Sequence, residues 1–436
     1  MADVEHVQVK FFTKQEQYSV PDTLFSVPAS VDSKQLSQLI NSLLQGDAKT
    51  EGDEDLVKFD FLLDGEILRT ALNHLLQEKE VSSEAVIELE YVERQPAPYP
   101  ENSLLHDDWV SAVQAAGENI LSGSYDNTVR LWNTQGEPVM TIPAHADPVK
   151  CVAWIRHDTS DIESTFVSGS HDQTAVIWRW HKERNEVDCI HVCKGHSGTV
   201  NCVSVSPSKE KMCTVSWDKM LKLWSADCLP EDEPESDRPR KKKKTAASKA
   251  QTRVPILTLS GHNDAVTAVQ WVDDTSVVTS SRDQTVRIWD LKQAVQSNLL
   301  QGSEAIFDVA YSPLNGLLVV ASASRHIHLY DPRSKEGAVV KQSFTSHTGW
   351  VVSVDWSRNN EHLFLSGAYD SILKLWDIRR QDFYVHVFLD LLPKAPLYNM
   401  HGHEDKILSV DWSVPELILS GGADNNLKIH HYNVTS

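Results

Sequence analysis

The sequence has no long apolar run, few cysteines and a shortage of basic residues. No segment approaches the ~18 consecutive apolar residues of a membrane span, and the start, MADVEHVQVKFF, lacks the basic and apolar regions of a secretory signal. The six cysteines all lie between Cys151 and Cys228, which is uneven for a disulfide framework in 436 residues. We therefore expect a protein of a reducing compartment, the cytosol or the nucleus.

The charge is strongly acidic and unevenly distributed. Lysine and arginine number 41 against 61 aspartates and glutamates, which gives a formal charge of −20. Such a chain is unsuited to coating DNA broadly, because the phosphates would be repelled. Residues 1–95 hold 8 basic and 19 acidic side chains, more than half of the net charge. This distribution predicts a separate acidic module in residues 1–95.

One sequence pattern recurs through the rest of the chain. ILSGSYDNTVRLWN returns as FVSGSHDQTAVIWR, MCTVSWDKMLKLWS, VVTSSRDQTVRIWD and LFLSGAYDSILKLWD. Each copy has an aspartate six residues before a tryptophan, and a histidine 20 to 27 residues before the aspartate. The five sets are His106, Asp126 and Trp132; His145, Asp172 and Trp178; His196, Asp218 and Trp224; His262, Asp283 and Trp289; and His347, Asp370 and Trp376.

This pattern resembles the WD-repeat family, in which a unit of about forty residues forms one four-stranded blade of a β-propeller. Two weaker units complete the series. One has Ser324 for the aspartate and Tyr330 for the tryptophan, and the last keeps His403 and Asp424 but carries His430 where tryptophan is expected. The resemblance implies a mainly β fold, with a seven-bladed WD-repeat β-propeller over residues 96–436.

The repeated polar residues are predicted to be structural. The aspartate of each turn can accept a hydrogen bond from the histidine, the histidine can meet a serine, and the serine can reach the indole N–H. His, Ser and Asp also form hydrolase triads, but an active site would not recur in six repeats. The pattern therefore favours a protein that is not an enzyme. The serines expected in the network stand two residues before their aspartates, a position where Ala368 and Gly422 do not fit: Ser124, Ser170, Ser216 and Ser281.

The sequence also predicts how the ring closes. Too few residues follow the inner strands of the seventh unit to form its outermost strand, so that strand must come from elsewhere in the chain. The segment Tyr99–Leu105 precedes the first histidine and can supply that strand. Closure would remove sheet edges that otherwise promote aggregation.

A possible zinc pattern is Cys189, His191 and Cys193, followed by His196. Same-side residues of one strand lie nearly 7 Å apart, a spacing that is poor for joint ligation. We predict neither a metal site nor a cofactor here.

An insertion follows the third complete repeat. The segment CLPEDEPESDRPRKKKKTAASKAQTR has too little apolar content to order itself, so residues 229–253 are expected to be a disordered acidic and basic loop. Its basic run fits a nuclear-localisation signal, while a merely solvated loop and direct RNA contact remain alternatives. The candidate signal residues are Arg238, Arg240, Lys241, Lys242, Lys243 and Lys244.

The amino-terminal module has a different pattern. HVQVKFF and YSVPDTLFSVP are predicted strands, and DSKQLSQLINSLLQ is a predicted helix with Asp32 as its N-cap. KFDFLLDG, the short helix TALNHLLQEK and the strand AVIELEYVE follow. This order resembles a small α+β ubiquitin-like (β-grasp) domain, which we place at residues 1–95. No Gly-Gly follows Val92, so docking is favoured over conjugation.

The combination of modules carries a narrower resemblance. FDFLLDGEILRT, SSEAVIELEYVE, the opening HDDWVSAV and the insertion after the third repeat are similar to the WD-repeat protein 12 family, the WD subunits of the complex with Pescadillo and the block-of-proliferation WD protein. Two alternatives remain open. One is a notchless-like assembly factor, and the other is a generic propeller adaptor of a ubiquitin ligase or a chromatin complex.

The resemblance implies a non-catalytic assembly factor for the large ribosomal subunit, acting in precursor rRNA maturation in the nucleus, nucleolus and nucleoplasm. In that family a glutamate of the ubiquitin-like domain meets the metal-ion-dependent adhesion site of the AAA ATPase midasin, and the matching residue here is Glu84. One carboxylate can complete the shell of a Mg²⁺ ion supplied by the partner. The implied partners are Pescadillo, the block-of-proliferation protein, midasin and the pre-ribosomal particle, with no membrane.

Overall fold

The structure is a computed structural model that describes residues 6–13, 15–45, 57–63, 66–68, 71–78, 86–94, 97–158, 161–227, 250–333, 340–379 and 396–433. The chain divides into two compact units, of which the first contains Met1–Pro96 and the second Ala97–Trp376 and Pro393–Val434. Within the described ranges no helix has the length and apolar character needed to cross a membrane.

The first unit is a mixed five-stranded sheet with two helices. The strand order is β2-β1-β5-β3-β4, with β1 and β5 parallel and the other pairs antiparallel. This is the predicted β-grasp arrangement. Its elements are β1 (His6–Phe12), a 3-10 turn (Glu16–Tyr18), β2 (Leu24–Pro28), α1 (Ser33–Gln45), β3 (Phe59–Leu63), β4 (Glu66–Ile67), α2 (Leu72–Glu78) and β5 (Val86–Glu93).

Helix α1 begins as its sequence predicts. Asp32 Oδ1 accepts the backbone N–H of Gln35 at 2.8 Å, and Gln35 Oε1 accepts that of Asp32 at 3.1 Å, which is a capping box. Leu36 and Ile40, one turn apart, are fully buried against a core that includes Phe59. The periodic apolar face therefore lies on the sheet.

The second unit contains seven sheets, each of which includes one four-stranded blade. After β6 (Tyr99–Leu105), blade 1 is β7 (Val110–Ala116), β8 (Asn119–Ser124), β9 (Thr128–Asn133) and β10 (Pro138–Pro143); blade 2 is β11 (Val149–Arg156), β12 (Glu163–Ser170), β13 (Thr174–His181) and β14 (Glu186–Lys194); blade 3 is β15 (Val200–Val205), β16 (Lys211–Ser216), β17 (Met220–Ser225) and, after the short β18 (Gln251–Arg253), β19 (Leu257–Ser260). Blade 4 is β20 (Val266–Asp273), β21 (Ser276–Ser281), β22 (Thr285–Asp290) and β23 (Val295–Gln301); blade 5 is β24 (Ile306–Tyr311), β25 (Leu318–Ser322), β26 (His326–Tyr330) and β27 (Val340–Thr345); blade 6 is β28 (Val351–Trp356), β29 (Leu363–Ala368), β30 (Leu373–Asp377) and β31 (Tyr398–Met400); and blade 7 is β32 (Ile407–Val414), β33 (Leu417–Gly422), β34 (Asn426–His431) and β6.

The blades form a closed ring. Each innermost strand packs against the next, and β7 packs against both β11 and β32. Strand β6 pairs antiparallel with β34, from Leu105 opposite Asn426 to Tyr99 opposite His431. The predicted closure is confirmed, because a strand that precedes blade 1 completes blade 7.

The end of the insertion corrects one prediction. Within the range expected to be disordered, residues 250–253 are described, and Gln251–Arg253 form β18, which pairs in parallel with the edge strand β14. Arg253 Nη1 also donates to the carbonyl of Ser225 at 2.7 Å. The expectation of disorder is wrong for these residues, because an open strand edge supplies backbone partners that composition does not reveal.

Candidate functional site

A buried polar network holds one turn of each regular blade. In blade 3, His196 Nδ1 lies 2.7 Å from Asp218 Oδ2 and His196 Nε2 lies 2.7 Å from Thr214 Oγ1. The indole of Trp224 donates to Thr214 Oγ1 at 2.8 Å. Contacts of 2.7 to 3.0 Å recur in blades 2, 4 and 6 through His145, Ser168, Asp172 and Trp178; His262, Thr279, Asp283 and Trp289; and His347, Ser366, Asp370 and Trp376.

The network keeps its aspartates ionised. Burial alone would raise the pKa of Asp172, but hydrogen bonds from His145 and Thr174 outweigh it and lower that pKa to about 2. Burial lowers the pKa of His262, although Asp283 opposes this shift. A neutral imidazole next to a carboxylate donates from Nδ1 and accepts the hydroxyl proton at Nε2. The arrangement is structural, since its histidine side chains are at most 2% exposed and its aspartate side chains at most 17%.

The prediction of which residues supply the network hydroxyl is wrong. The hydroxyl comes from the residue four positions before the aspartate: Ser122, Ser168, Thr214, Thr279, Ser366 or Ser420. Ser216, two positions before Asp218, instead accepts the backbone N–H of that aspartate at 3.1 Å. Residues two apart share a face of a strand, so spacing alone could not choose between them. Ala368 and Gly422 are therefore no obstacle to the network.

Blade 1 departs from the pattern in one contact. His106 Nε2 lies 3.0 Å from Ser122, but His106 Nδ1 is 3.8 Å from Asp126. Arg130 Nη2 binds Asp126 at 2.9 Å and Asp107 at 2.6 Å, so arginine takes the place of histidine on this carboxylate.

Each network fixes a neighbouring side chain at the same end of the ring. The backbone N–H of Trp217, next to Asp218, donates to the carbonyl of Thr199 at 3.0 Å. Lys219, on the other side of Asp218, has a φ of 71°, which reverses the chain. Equivalent backbone bonds hold Tyr125, His171, Arg282 and Tyr369.

These side chains form a surface that we call the aromatic face. Its members are Trp109, Tyr125, Lys150, His171, Trp217, Arg282, Phe307, Trp350, Tyr369 and Lys406. Ring centroids are 5.5 to 6.3 Å apart along Trp109, Tyr125, His171 and Trp217, and 5.7 to 5.8 Å apart along Phe307, Trp350 and Tyr369. Trp217 and Trp350 are about half exposed, at 48% and 50%.

Three cations are interleaved with the rings. Lys150 lies 5.7 Å from the ring of Tyr125, Arg282 lies 5.4 Å from Trp217, and Lys406 lies 5.0 Å from Tyr369. Exposed Trp, Tyr and Arg are the residues that supply most binding energy in protein interfaces. The contacts also order these side chains before a partner arrives, which reduces the entropy lost on binding.

Residue type alone identifies only part of the aromatic face. As aromatic or basic residues, Trp217, Arg282 and Trp350 are candidate anchors for a protein partner. Trp154 and Trp180 are candidates by the same reasoning, but the structure buries both. Trp109, Tyr125, His171 and Tyr369 were missed. The available signal was position in the sequence, because five members of the face, Tyr125, His171, Trp217, Arg282 and Tyr369, immediately precede the aspartate of a repeat.

Glu84 and the basic residues Arg238, Arg240, Lys241, Lys242, Lys243 and Lys244 lie outside the described residues. Within the described part of the chain, no three His, Cys, Asp or Glu side chains are grouped to hold a metal ion. His191 is buried between Cys189 and Cys193 on β14, where burial lowers its pKa to about 4.

Two family models match this chain. The NLE (NUC135) domain model matches residues 7–79, and the WD domain, G-beta repeat model matches 100–133, 136–179, 187–225, 253–290, 338–377 and 394–431. The first three strands of blade 5, which lacks the His, Asp and Trp, fall between the matches 253–290 and 338–377. The protein is a WD-repeat propeller protein with an amino-terminal NLE domain.

Full-length relatives narrow this class. A ribosome biogenesis protein WDR12 homolog of Ixodes scapularis is 48% identical over 438 residues, covering 99% of this chain and 100% of the relative. Homologs with the same name from Aedes aegypti and Drosophila mojavensis are 46% and 45% identical, over 97% of this chain and 95% and 94% of theirs. The chain belongs to this WDR12 family of ribosome biogenesis proteins.

Proposed function

We propose that the protein is a non-catalytic assembly factor for the large ribosomal subunit, acting in precursor rRNA maturation in the nucleolus and nucleoplasm. The observation that carries the proposal is the 48% identity with a ribosome biogenesis protein over 99% of the chain. Each of the two units has its own role. The propeller scaffolds the complex with Pescadillo and the block-of-proliferation WD protein, and the NLE domain is the handle by which midasin removes the factor.

The aromatic face supports the scaffolding role. It combines half-exposed Trp217 and Trp350 with cations already held against rings, which are the properties of a protein hot spot. A variant with Trp217→Ala and Trp350→Ala should lose its propeller partners in affinity purification. Leu299→Ala, which removes an exposed residue of the outermost strand of blade 4, should retain them. Equal recovery from both variants would remove the aromatic face from the proposal.

The handle role is assigned to Glu84, whose carboxylate would complete the shell of a Mg²⁺ ion held by midasin. The protein needs no cofactor of its own for this contact. We would purify the tagged full-length protein and its Glu84→Ala variant from nuclear extract with Mg²⁺, and then with EDTA. The wild type should bring midasin only with Mg²⁺, and Glu84→Ala should bring none.

Glu88→Ala is the matched control, since Glu88 is an exposed carboxylate on β5 near Glu84 in sequence. It should bring midasin as the wild type does. All three proteins should bring Pescadillo, its WD partner and pre-ribosomal proteins. Recovery of ligase or chromatin components instead would favour the generic adaptor, and a midasin contact indifferent to Glu84 would defeat the handle assignment.

The basic run is assigned to nuclear import. Replacing Lys241, Lys242, Lys243 and Lys244 by alanine should leave the protein in the cytoplasm, as seen by fluorescence of a tagged chain. If the variant still enters the nucleus but loses RNA recovery with a steep salt dependence, direct RNA contact is the better assignment.

A further inference from the structure

The innermost strands of the propeller have one edge without a strand partner. Their backbone N–H groups on that edge require acceptors, because an unpaired buried N–H is costly. In several blades the acceptor is a side chain of the preceding blade. Gln114 Oε1 of blade 1 accepts the N–H of Trp154 at 2.6 Å, and Ser353 Oγ of blade 6 accepts that of Val410 at 3.1 Å.

From blade 5 to blade 1, three of these acceptors are carboxylates. Asp308 accepts the N–H of Val354 at 3.0 Å and Asp355 accepts that of Trp412 at 2.8 Å. Asp411 accepts the N–H of Ala115 at 2.9 Å, which links blade 7 back to blade 1. The carboxylates join four consecutive blades across the point where the ring closes.

The innermost strands of the other blades bond the next blade through neutral side chains, several of which donate to backbone carbonyls. Ser111 donates to the carbonyl of Val149 at 2.6 Å, Asn201 to that of Val266 at 2.6 Å and Thr267 to that of Ile306 at 2.9 Å. Among the described side chains of the innermost strands, those that bond the next blade through a carboxylate are Asp308, Asp355 and Asp411. We define β24, β28, β32 and β7 as the closing arc.

Little positive charge offsets these carboxylates. Asp355 and Asp411 are 8% and 5% exposed. Arg358 Nη2 is 3.8 Å from Asp355 Oδ1. The innermost strands line a central channel, whose lining residues include Asp308, Asp355 and Asp411. Lys150 on β11 lines the same channel, but it lies against the ring of Tyr125. Cys202 on β15 is a further titratable group that interacts with Asp308.

We propose that Asp308 and Asp411, with Asp355 linking the blades between them, form a pH-sensitive latch on the closing arc, which ionisation of Asp308 and Asp411 loosens by repulsion and their proton uptake tightens. The charge of one carboxylate strengthens its own bond to an N–H, but three carboxylate charges in series, two of them buried, repel one another. A proton removes this repulsion while each group keeps an oxygen that accepts the same N–H.

Two carboxylates of the closing arc have pKa values raised towards neutral pH. Burial raises the pKa of Asp308 to about 7, and burial together with the charge of Asp355 raises that of Asp411 to about 7. In the unfolded chain both groups titrate near pH 4, at about 3.9. Their contribution to folding is therefore fully present below about pH 4 and is lost as the pH rises through about 7.

The test is the thermal unfolding of the full-length chain and of Asp411→Asn between pH 5.5 and 8.5. Asparagine keeps the acceptor for Ala115 and removes the charge. At pH 8.5 the variant should unfold at least about 2 °C above the wild type, and the difference should shrink as the pH is lowered. Asp308→Asn should behave alike. A difference that does not change with pH would overturn the proposal.

Two further variants make the result specific. Gln114→Glu adds a fourth carboxylate at an equivalent position and should lower the unfolding temperature at pH 8.5 more than at pH 5.5. Asp405→Asn, an exposed charge before β32, should change nothing with pH. In the wild type, hydrogen exchange corrected for intrinsic rates should accelerate with pH in the closing arc more than in β15 and β20. Uniform exchange across the blades would contradict a latch confined to this arc.

Discussion

The hydroxyl of Ser420 binds His403 at 2.8 Å but no indole, because His430 stands where blades 1 to 4 and blade 6 carry tryptophan. Both ring nitrogens of His430 are buried without a hydrogen-bond partner. Blade 7, which closes the ring, therefore keeps the bonds of His403 to Asp424 and Ser420 but lacks the indole bond of the network.

Replacing His430 by tryptophan should stabilise the protein. The new indole N–H can donate to Ser420, as Trp376 does to Ser366 at 2.7 Å. Removing two unpaired buried nitrogens and adding one hydrogen bond is worth about 1 kcal/mol or more. The free energy of unfolding in urea measures this gain. His430→Phe is the control, since it fills space without a donor and should gain less; a loss in both variants would show that the space is too small.

Acid should destabilise the protein through the same residue. Burial, with the nearby charges of His403 and Lys428, lowers the pKa of His430 to about 4. Because the unfolded side chain titrates near pH 6.5, this contribution is present above about pH 6.5 and is lost as the pH falls towards 4. The wild type should lose up to about 3 kcal/mol more than His430→Phe between pH 7 and 4.5. Parallel urea titrations at several pH values would measure this difference, and parallel losses would contradict the prediction.

The identity of the network hydroxyl is testable in blade 3. Thr214→Val keeps the shape of the side chain but leaves His196 and Trp224 without their shared partner, and should cost about 2–4 kcal/mol. Ser216→Ala removes one bond to a backbone N–H and should cost about 1 kcal/mol. Urea denaturation of both variants compares them directly. The reverse order would restore the serine two residues before the aspartate as the network member.

The closing strand should be required for a soluble propeller. A fragment of residues 97–436 contains β6, whereas a fragment of residues 107–436 lacks it and leaves the edge of β34 unpaired. We expect the shorter fragment to aggregate in size-exclusion chromatography, because an open strand edge pairs with other chains. A peptide of residues 97–106 added during refolding should restore the monomer. Monomeric behaviour without β6 would show that closure is dispensable.

Several elements were predictable because their causes are local or repeated. Asp32 caps α1 through a residue only three positions away, and the spacing of Asp218 and Trp224 recurs often enough to define a blade. The donor of the closing strand was also predictable, since one segment stands before the first repeat. The choice of Ser122 over Ser124 was not, because the two residues share a strand face and only the neighbouring strand distinguishes them.

The sequence by itself determined the two-module order, the seven-blade count and the family, because repeats, strand periodicity and capping act over short separations along the chain. Only the tertiary structure decided which side chains meet. Trp154 and Trp217 are the same residue type, yet one is 9% exposed and the other 48%. Asp411 and Ala115 are 296 residues apart, and they bond only because the ring closes. Burial and long-range contact depend on how the blades surround the channel, and that arrangement also sets the pKa of each buried carboxylate.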